Sequence, residues 1–474
     1  FLAGNSLPWW AIGASLIAAN ISAEQIIGMT GSGYKVGLAI ASYEWMAALT
    51  LMVVGKYFLP VFLQKQIYTM PQFLEQRYDH RVRKIMALFW LAVYVFVNLT
   101  AVLWLGALAL NTITGISMEW SMLFLALFSI VYSLYGGLKA VALTDVVQVV
   151  LLVFGGLMLS WIAMDLIGQG QGVLAGFARL TTELPDKFDM ILTADNPYYA
   201  DLPGLSVLIG GMWIMNLSYW GFNQYIIQRA LAAKNLREAQ KGIAFAAFLK
   251  LLMPIIVVLP GIAAVLLVPD LSKADQAYPW LLRNFAPTGI RGLAFAALVA
   301  AVVSSLASML NSTSTIFTLD IYKSHINKTA DDKKLVFVGR VAAFVALLIA
   351  MVAAKPLLGG LDQAFQYIQE YTGFIYPGVV VVFGMGILWK RATNRAALWT
   401  TIATLPTGIA MKIMLPDLPF IIRMGYVCMI LISIAVLLTL TDSHQQPTQS
   451  VNAGTRKWLL GAARMFAILT AVTL

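Results

Sequence analysis

The stretch WWAIGASLIAANISAEQIIGMTGSG, residues 9–33, begins as a membrane-spanning helix and then accumulates polar side chains at its centre. Trp9 and Trp10 are typical of a membrane interface, and residues 11–19 are apolar enough to enter lipid. The following turns carry Asn20, Ser22, Glu24 and Gln25. Because polar groups at this depth are costly against lipid, they normally face a cavity or a protein partner. The stretch predicts a discontinuous helix that lines a binding site near the membrane midplane, with a polar seam between packed helices as the alternative.

The composition of the whole chain agrees with a membrane protein. Of its 474 residues, 60% are hydrophobic and 11% are charged, and the mean hydropathy is +0.80. The net charge of +10 arises from basic residues in short loops, so it indicates membrane topology and not nucleic-acid binding. The one cysteine, Cys428, excludes an intramolecular disulfide. No cluster of His, Cys and carboxylates and no nucleophile motif stands out, so we do not expect an enzyme.

Apolar segments of membrane length recur about thirteen times, which predicts an all-α polytopic membrane protein. They lie near residues 8–28, 36–63, 85–112, 119–135, 141–167, 204–222, 242–268, 291–322, 334–354, 361–389, 394–414, 418–440 and 457–474. Basic loops alternate with loops that carry few cations, and residues 169–203 are rich in acids. The positive-inside rule therefore makes the basic loops cytoplasmic and directs the first span outward. An odd number of spans would put the C-terminus outside.

A second candidate for a broken helix is GGMWIMNLSYWG, residues 210–221, in which Asn216 and Ser218 lie among aromatic residues. It falls in the sixth span, five spans after the first and opposite in direction. This spacing is expected of an inverted repeat of five plus five helices, the architecture of many secondary transporters. We therefore expect one repeat over 8–167, a second over 204–389, and additional C-terminal helices over 394–474.

Other polar residues lie deep within predicted spans. Glu44 is in span two, Lys250 is in the middle of span seven, and Gln366 and Gln369 open span ten. A lysine at that depth must find acceptors or lose its proton. Glu44 and Lys250 are expected to form an ion pair, which could be structural or could share a substrate hydroxyl. The tripeptide that begins at Asn98 fits a glycosylation pattern but lies inside a span, so we interpret it as chance.

Span eight carries a stripe of hydroxyl residues at helical spacing: Ser304, Ser305, Ser308, Ser312 and Thr315. Small hydroxyl residues in membrane helices most often allow close packing and bond to the preceding turn. Alternatively, Ser304 and Ser305 could coordinate a bare alkali cation together with freed carbonyls near Ala18 and Ile21. Spacing alone leaves both interpretations open.

Several stretches resemble the solute:sodium symporter family, in the right order and over nearly the whole chain. They are WWAIGASLIAANIS (9–22), YTMPQFLEQR (68–77), YGGLKAVALTDVVQ (135–148), NQYIIQRALAAKNLREAQKG (223–242) and residues 304–322. Within the family the chain is most similar to the sodium/glucose cotransporter branch. The residues that carry this closer likeness are 43–45, 216–221 and 367–369. The resemblance implies a LeuT-type inverted-repeat fold with additional helices.

The resemblance also implies positions for the transported solute. The positions that match hydrogen-bonding contacts to a hexose are Gln25, Glu44, Asn216, Lys250 and Gln369. Tyr219 matches an aromatic residue that stacks on the sugar and closes the cytoplasmic exit. An outer hydrophobic cover is expected from Met29, Tyr43 and Phe365. Ala47 departs from the branch, in which a small hydroxyl residue is expected on the sugar face of span two.

For the coupling ion, the resemblance implies sodium held by backbone and hydroxyl oxygens. These are the carbonyls of Ala18, Ile21 and Ala301 and the hydroxyls of Ser304 and Ser305, with Asp145 nearby to help the ion leave. The expected function is Na⁺-coupled symport of a neutral hexose, galactose or glucose, by alternating access in a bacterial inner membrane, without an organic cofactor. The alternatives are another solute, such as proline, pantothenate or myo-inositol, and a solute-binding sensor or channel.

Overall fold

In a computed structural model, the structure describes residues 6–268 and 270–442, without the side chains of 134–144. This part of the chain is helical, and its β-structure is limited to one isolated bridge between Leu7 and Ala233. The helices of the first half are α1 Trp9–Asn20, α2 Glu24–Lys35, α3 Leu38–Gln64, α4 Met70–Arg77, α5 His80–Thr114, α6 Met118–Ile167, α7 Val173–Glu183 and α8 Gly204–Phe222. Those of the second half are α9 Gln224–Leu231, α10 Leu236–Leu267, α11 Ala277–Phe285, α12 Thr288–Ile326, α13 Asp332–Leu358, α14 Ala364–Thr372, α15 Tyr376–Leu388, α16 Asn394–Met414 and α17 Phe420–Thr441.

The first span is broken, as its polar centre predicted. Helices α1 and α2 meet at an angle of 58°. Ile21 leaves the helical conformation with ψ of 73°, and the Ser22 amide donates to the Asn20 carbonyl at 2.7 Å. The Ser22 hydroxyl then accepts the Glu24 amide at 3.1 Å and so bonds one of the free amides at the start of α2.

The predicted break in the sixth span is wrong. Residues 204–222 form one helix, α8, which widens to π-helical turns at Val207–Gly211 and Leu217–Phe222. A π-bulge absorbs the irregularity without ending the helix. The other sharp bend in the described chain lies in the tenth span, where α14 and α15 meet at 44°. Pro377 lies in the first turn of α15, where the amide that proline lacks would have no partner within the helix, so it favours a helix start at this point.

The described part of the chain accounts for fewer spans than the simple count. Eight helices of the described chain are long and apolar enough to cross a membrane, and ten if each bent pair is one span. The predicted spans 119–135 and 141–167 are parts of the single helix α6, because the glycines between them weaken a helix by only about 1 kcal/mol each and do not end it. The predicted span 457–474 lies outside the described residues. The count of thirteen stays a prediction.

The packing places the broken first span at the centre of the molecule. Helix α1 contacts α6, α9, α10 and α12. It approaches α10 most closely where two glycines meet: a Cβ added at Gly13 would lie 2.7 Å from the Gly242 carbonyl oxygen. Small residues let membrane helices approach backbone to backbone, and this contact fixes α1 beside the helix that carries Lys250.

Candidate functional site

A cavity lies beside the break in the first span. Its walls come from α1, α2, α3, α5, α8, α10, α14 and α15. All six predicted substrate residues line it, namely Gln25, Glu44, Asn216, Tyr219, Lys250 and Gln369. The three predicted outer-cover residues, Met29, Tyr43 and Phe365, line it as well. The structure thus brings together positions that are spread over more than three hundred residues of sequence.

A buried ion pair is the electrostatic centre of this cavity. The Lys250 ammonium donates to one Glu44 carboxylate oxygen at 2.6 Å, and the Gln25 amide donates to the other at 2.6 Å. The Lys250 side chain is completely buried, and its ammonium lies 5.2 Å from the centre of the Trp220 ring. Each charge compensates the desolvation of the other, so the expected ion pair is confirmed and the pair carries no net charge.

Several buried polar atoms of cavity-lining residues have no hydrogen-bond partner among the described residues. They are Oε1 of Glu24, Oε1 of Gln25, Oδ1 of Asn98 and the hydroxyl of Tyr43. Buried polar atoms are normally bonded, and three of these four atoms are acceptors. Such a set matches a neutral ligand that offers several hydroxyl donors.

On the side towards the helix break, Tyr219 closes the cavity through hydrogen bonds. The Asn20 amide donates to the Tyr219 hydroxyl at 3.0 Å, and the same hydroxyl bonds the Tyr225 hydroxyl. Tyr225 belongs to α9, every residue of which is buried. The broken span and α9 are therefore joined through Tyr219. A movement of Tyr219 would break its hydrogen bonds to both.

On the other side, aromatic packing covers the cavity. The rings of Tyr43 and Phe365 meet edge to face at 5.2 Å between centres, and Met29 is fully buried beside them. A Cβ added at Gly28 would lie 3.1 Å from Cβ of Phe365, so the backbone of α2 packs directly against this residue of the cover. The cover therefore depends on how closely α2 and α14 approach each other.

Sequence reasoning missed several residues of the cavity wall. Asn20, Glu24, Asn98, Trp220 and Tyr376 also line it. The polar character of Asn20 and Glu24 was visible in the broken span, but their side chains could not be oriented from spacing. Asn98 was set aside as a chance glycosylation pattern, although a buried amide inside an apolar span is itself a signal of a polar site.

The helices that carry the predicted ion-binding residues meet where the first span breaks against α12. The Ser22 amide bonds Asn20 and the Gln25 amide bonds Ser22, so the donors that would satisfy the Ala18 and Ile21 carbonyls in a continuous helix are engaged elsewhere. Opposite them, the Ser305 hydroxyl donates to the Ala19 carbonyl at 3.4 Å. Ala301 lies one turn before Ser305 on α12 and is buried. The region offers neutral oxygens, the ligand type that suits a hard monovalent cation.

Asp145 lies beside this region in a buried network. Its carboxylate accepts the Ser15 hydroxyl at 2.6 Å and also accepts the Ser304 hydroxyl. The Arg229 guanidinium lies 3.7 Å away and donates to Ser15 at 2.7 Å and to Ser308 at 2.6 Å. Asp145 therefore holds the hydroxyl hydrogen of Ser304 and leaves that oxygen's lone pairs free to face a cation.

The broken first span, the central cavity and the adjacent oxygen-rich region define a class of protein, the secondary transporters with a LeuT-type fold. The same fold is found in a solved Na⁺-coupled sialic acid symporter in its substrate-bound, outward-open state. That structure has a TM-score of 0.80 and 23% sequence identity, and the likeness covers 95% of this chain and 93% of that one.

Sequence comparison gives the family. The model of the sodium:solute symporter family matches residues 1–404. The sodium/glucose cotransporter of Vibrio parahaemolyticus is 55% identical over 460 residues, which are 94% of this chain and 84% of that protein. The human sodium/myo-inositol cotransporter 2 is 34% identical over 438 residues, 86% of this chain and 64% of that protein, so this chain spans under two thirds of it. The chain belongs to the sodium:solute symporter family and is an integral membrane protein that couples solute transport to Na⁺.

Proposed function

We propose that the transported solute is a neutral hexose, galactose or glucose, carried inward with Na⁺ by alternating access. The observation that carries this proposal is the neutral Gln25–Glu44–Lys250 cluster, which lines a cavity rich in unpartnered acceptors. A hexose presents a ring of hydroxyls that donate and accept, so amides, a carboxylate and an ammonium suit its edge. The 55% identity to a Vibrio sodium/glucose cotransporter supports the same solute class.

Each residue of the site has a proposed role. Gln25, Glu44 and Lys250 bind hydroxyls on one edge of the sugar, and Asn216 and Gln369 bind the remainder. The ring of Tyr219 packs on the apolar face of the sugar and blocks its path to the cytoplasm. Met29, Tyr43 and Phe365 form the outer cover. Ala47 lines the cavity without a hydroxyl, so the sugar makes one contact fewer on α3 than the branch would suggest.

We propose that Na⁺ is held by the carbonyls of Ala18, Ile21 and Ala301 and the hydroxyls of Ser304 and Ser305. Bound there, the ion clamps the break of the first span against α12 and orders Asn20–Gln25, which are part of the sugar site. Asp145 attracts the ion as it leaves. One Na⁺ moving across about 100 mV releases roughly 2.3 kcal/mol, and a tenfold gradient adds roughly 1.4 kcal/mol, enough to concentrate a neutral sugar several hundredfold.

The remaining assignments complete the proposal. The two repeats, 8–167 and 204–389, move relative to each other around the fixed site, and residues 394–474 add peripheral helices. The protein works without an organic cofactor and transports its solute without chemical conversion. The Vibrio relative supports a bacterial inner membrane as its location.

The test is tracer uptake into proteoliposomes with an inside-negative potential, with external Na⁺ or K⁺. Galactose, glucose, myo-inositol and proline are compared in parallel. Uphill uptake of galactose or glucose only in Na⁺, abolished by Gln369→Ala and unchanged by the exposed Lys355→Ala, would support the proposal. Uphill uptake of proline or myo-inositol alone would overturn the hexose assignment. Solute binding without any uphill transport would indicate a sensor.

A further inference from the structure

The face of the protein opposite the basic loops carries a group of polar contacts above the outer cover. The alternation of basic loops places the ends of α2, α10 and α13 on this outer side. A short 3-10 turn, Ala274–Gln276, lies there between α10 and α11 and contacts α2. Its buried acid, Asp275, is not used in the transport mechanism described above.

One oxygen of Asp275 bonds the start of α14. The Ala364 amide, at the first residue of that helix, donates to Oδ2 of Asp275 at 2.8 Å. The residue that precedes the helix, Gln363, provides no side-chain cap of its own. Asp275 therefore caps α14 from a separate part of the chain, 89 residues away. Helix α14 carries Phe365 of the outer cover and Gln369 of the solute site.

The other oxygen of Asp275 faces α2. It has no hydrogen-bond partner among the described residues, and a Cβ added at Gly31 would lie 2.6 Å from it. The carboxyl group is therefore wedged between α2 and the first turn of α14. No side chain other than glycine's fits at residue 31 while this arrangement is kept.

Two direct contacts beside Asp275 join α2 to the residues just before α14. The Ser32 hydroxyl of α2 donates to the side-chain oxygen of Gln363 at 3.1 Å, and the Lys35 ammonium lies 3.1 Å from a carboxylate oxygen of Asp362. The Ala274 amide donates to the other oxygen of Asp362 at 2.8 Å. We name this set the outer latch: Ser32, Lys35, Ala274, Asp275, Asp362, Gln363 and the amide of Ala364.

We propose that Asp275 is a positioning residue that keeps the solute cavity closed to the outside by fixing the start of α14 against α2. If the outer side opens through this boundary, α2 and α14 separate, which breaks the latch and brings the Asp275 carboxyl group into water. Loss of the cap lets Phe365 move away from Gly28 and Tyr43, so the outer-open state becomes more populated. This inference rests on the alternating access in the proposed function but is independent of which solute is carried.

Cysteine accessibility tests the proposal without any solute. Cys428→Ala gives a background free of cysteine, and Ala47→Cys then places a single thiol in the cavity beneath the cover. A membrane-impermeant, positively charged methanethiosulfonate reagent is added outside intact cells. We expect Asp275→Ala to raise the labelling rate roughly fivefold, the effect of losing one buried hydrogen bond. Asp275→Asn keeps an acceptor for Ala364 and should label no faster than the parent.

The matched control is Glu119→Gln. It removes a carboxylate from the exposed pair with Lys355, and neither residue of this pair belongs to the outer latch. It should leave the labelling rate unchanged. If Asp275→Ala does not reach the membrane, Ser32→Ala breaks a different contact of the latch and should accelerate labelling in the same direction. The proposal would be overturned if Asp275→Ala labelled at the parent rate, or if Ser32→Ala did so where Asp275→Ala cannot be tested. It would also be overturned if Asp275→Asn labelled as fast as Asp275→Ala. Failure of hexose uptake would leave this result standing, because labelling is measured without sugar.

Discussion

At the scale of single residues, the buried charges of the cavity affect both ligand binding and the stability of the protein. Glu44 and Lys250 are each at most 1% exposed, so each relies on its partner to offset the cost of burying its charge. Gln25 completes the set by donating to Glu44. The same cluster that can bind a sugar is therefore also a determinant of stability.

The ion pair gives a prediction about stability and transport. Lys250→Met leaves Glu44 with only the Gln25 donor and should destabilise the protein by about 3–5 kcal/mol, whereas Lys250→Met combined with Glu44→Gln should recover most of that loss. Uptake of hexose should be lost in both variants. Thermal unfolding in detergent measures the first effect, and the exposed Lys355→Met is the control. Equal stability of the single and double variants would contradict a compensated pair.

The latch gives a prediction about pH. Burial and, to a smaller extent, the charge of Asp362, itself paired with Lys35, raise the pKa of Asp275 to about 8. The Ala364 hydrogen bond and the Lys273 charge oppose this increase. In the open state the carboxyl group is hydrated and has a pKa of about 4. Closing therefore takes up a proton between about pH 4 and pH 8, so the closed state gains stability as the pH falls through this window and has no such gain above it.

Labelling of Ala47→Cys measures this effect. We expect the labelling rate with Asp275, divided by the labelling rate with Asp275→Asn, to fall as the external pH is lowered from 8 to 6. The ratio removes the pH dependence of the thiol itself, which is common to both proteins. A ratio that stays constant over this range would exclude Asp275 as the titrating group.

At the scale of elements, the break in the first span depends on α12. The freed carbonyls of α1 and the hydroxyls of Ser304 and Ser305 come from helices that meet only in the tertiary structure. Asp145 on α6 orients Ser304, so three helices contribute to the proposed ion site.

The ion site gives a prediction about sodium dependence. Ser305→Ala removes one proposed ligand and should raise the half-saturating Na⁺ concentration for uptake about tenfold or more, because roughly 1.4 kcal/mol of binding is lost. The matched control is Ser312→Ala on the same helix, whose hydroxyl bonds Gln228 away from the break. Sodium activation curves for uptake provide the measurement. An unchanged curve in Ser305→Ala, as in the control, would place the ion elsewhere.

At the scale of the whole molecule, the solute and the ion share one structural element. Asn20 and Gln25 lie on the two sides of the break that Na⁺ is proposed to order, and both belong to the cavity wall. Because coupling between two binding sites is reciprocal, each ligand must strengthen the other's binding by the same factor.

This coupling predicts the outcome of equilibrium binding. Na⁺ should lower the Kd for galactose or glucose by about 5- to 150-fold, and saturating sugar should lower the Kd for Na⁺ by the same factor. Isothermal titration of the detergent-purified protein in choline and in sodium buffers measures both values. Asn20→Ala breaks the bond to Tyr219 and should reduce the coupling factor more than it reduces either intrinsic affinity. Equal sugar affinity with and without Na⁺ would contradict the mechanism.

The sequence by itself determined the membrane class, the approximate spans and the break in the first span. These features follow from local physics: apolar length against bilayer thickness, and the cost of polar groups in lipid. The six substrate positions came from the family resemblance, and the structure brings them to one cavity. The supposed break in the sixth span failed because a π-bulge and a break leave similar marks in a sequence.

The tertiary structure alone decided which polar groups meet. Glu44 pairs with Lys250 across 206 residues, Asn98 joins the cavity wall, and Asp275 caps a helix 89 residues away. No local pattern encodes these contacts, because they depend on the angles and distances at which the helices pack. The sequence therefore fixes which groups are too costly to leave in lipid, and the packing of the helices fixes the partner that each of them finds.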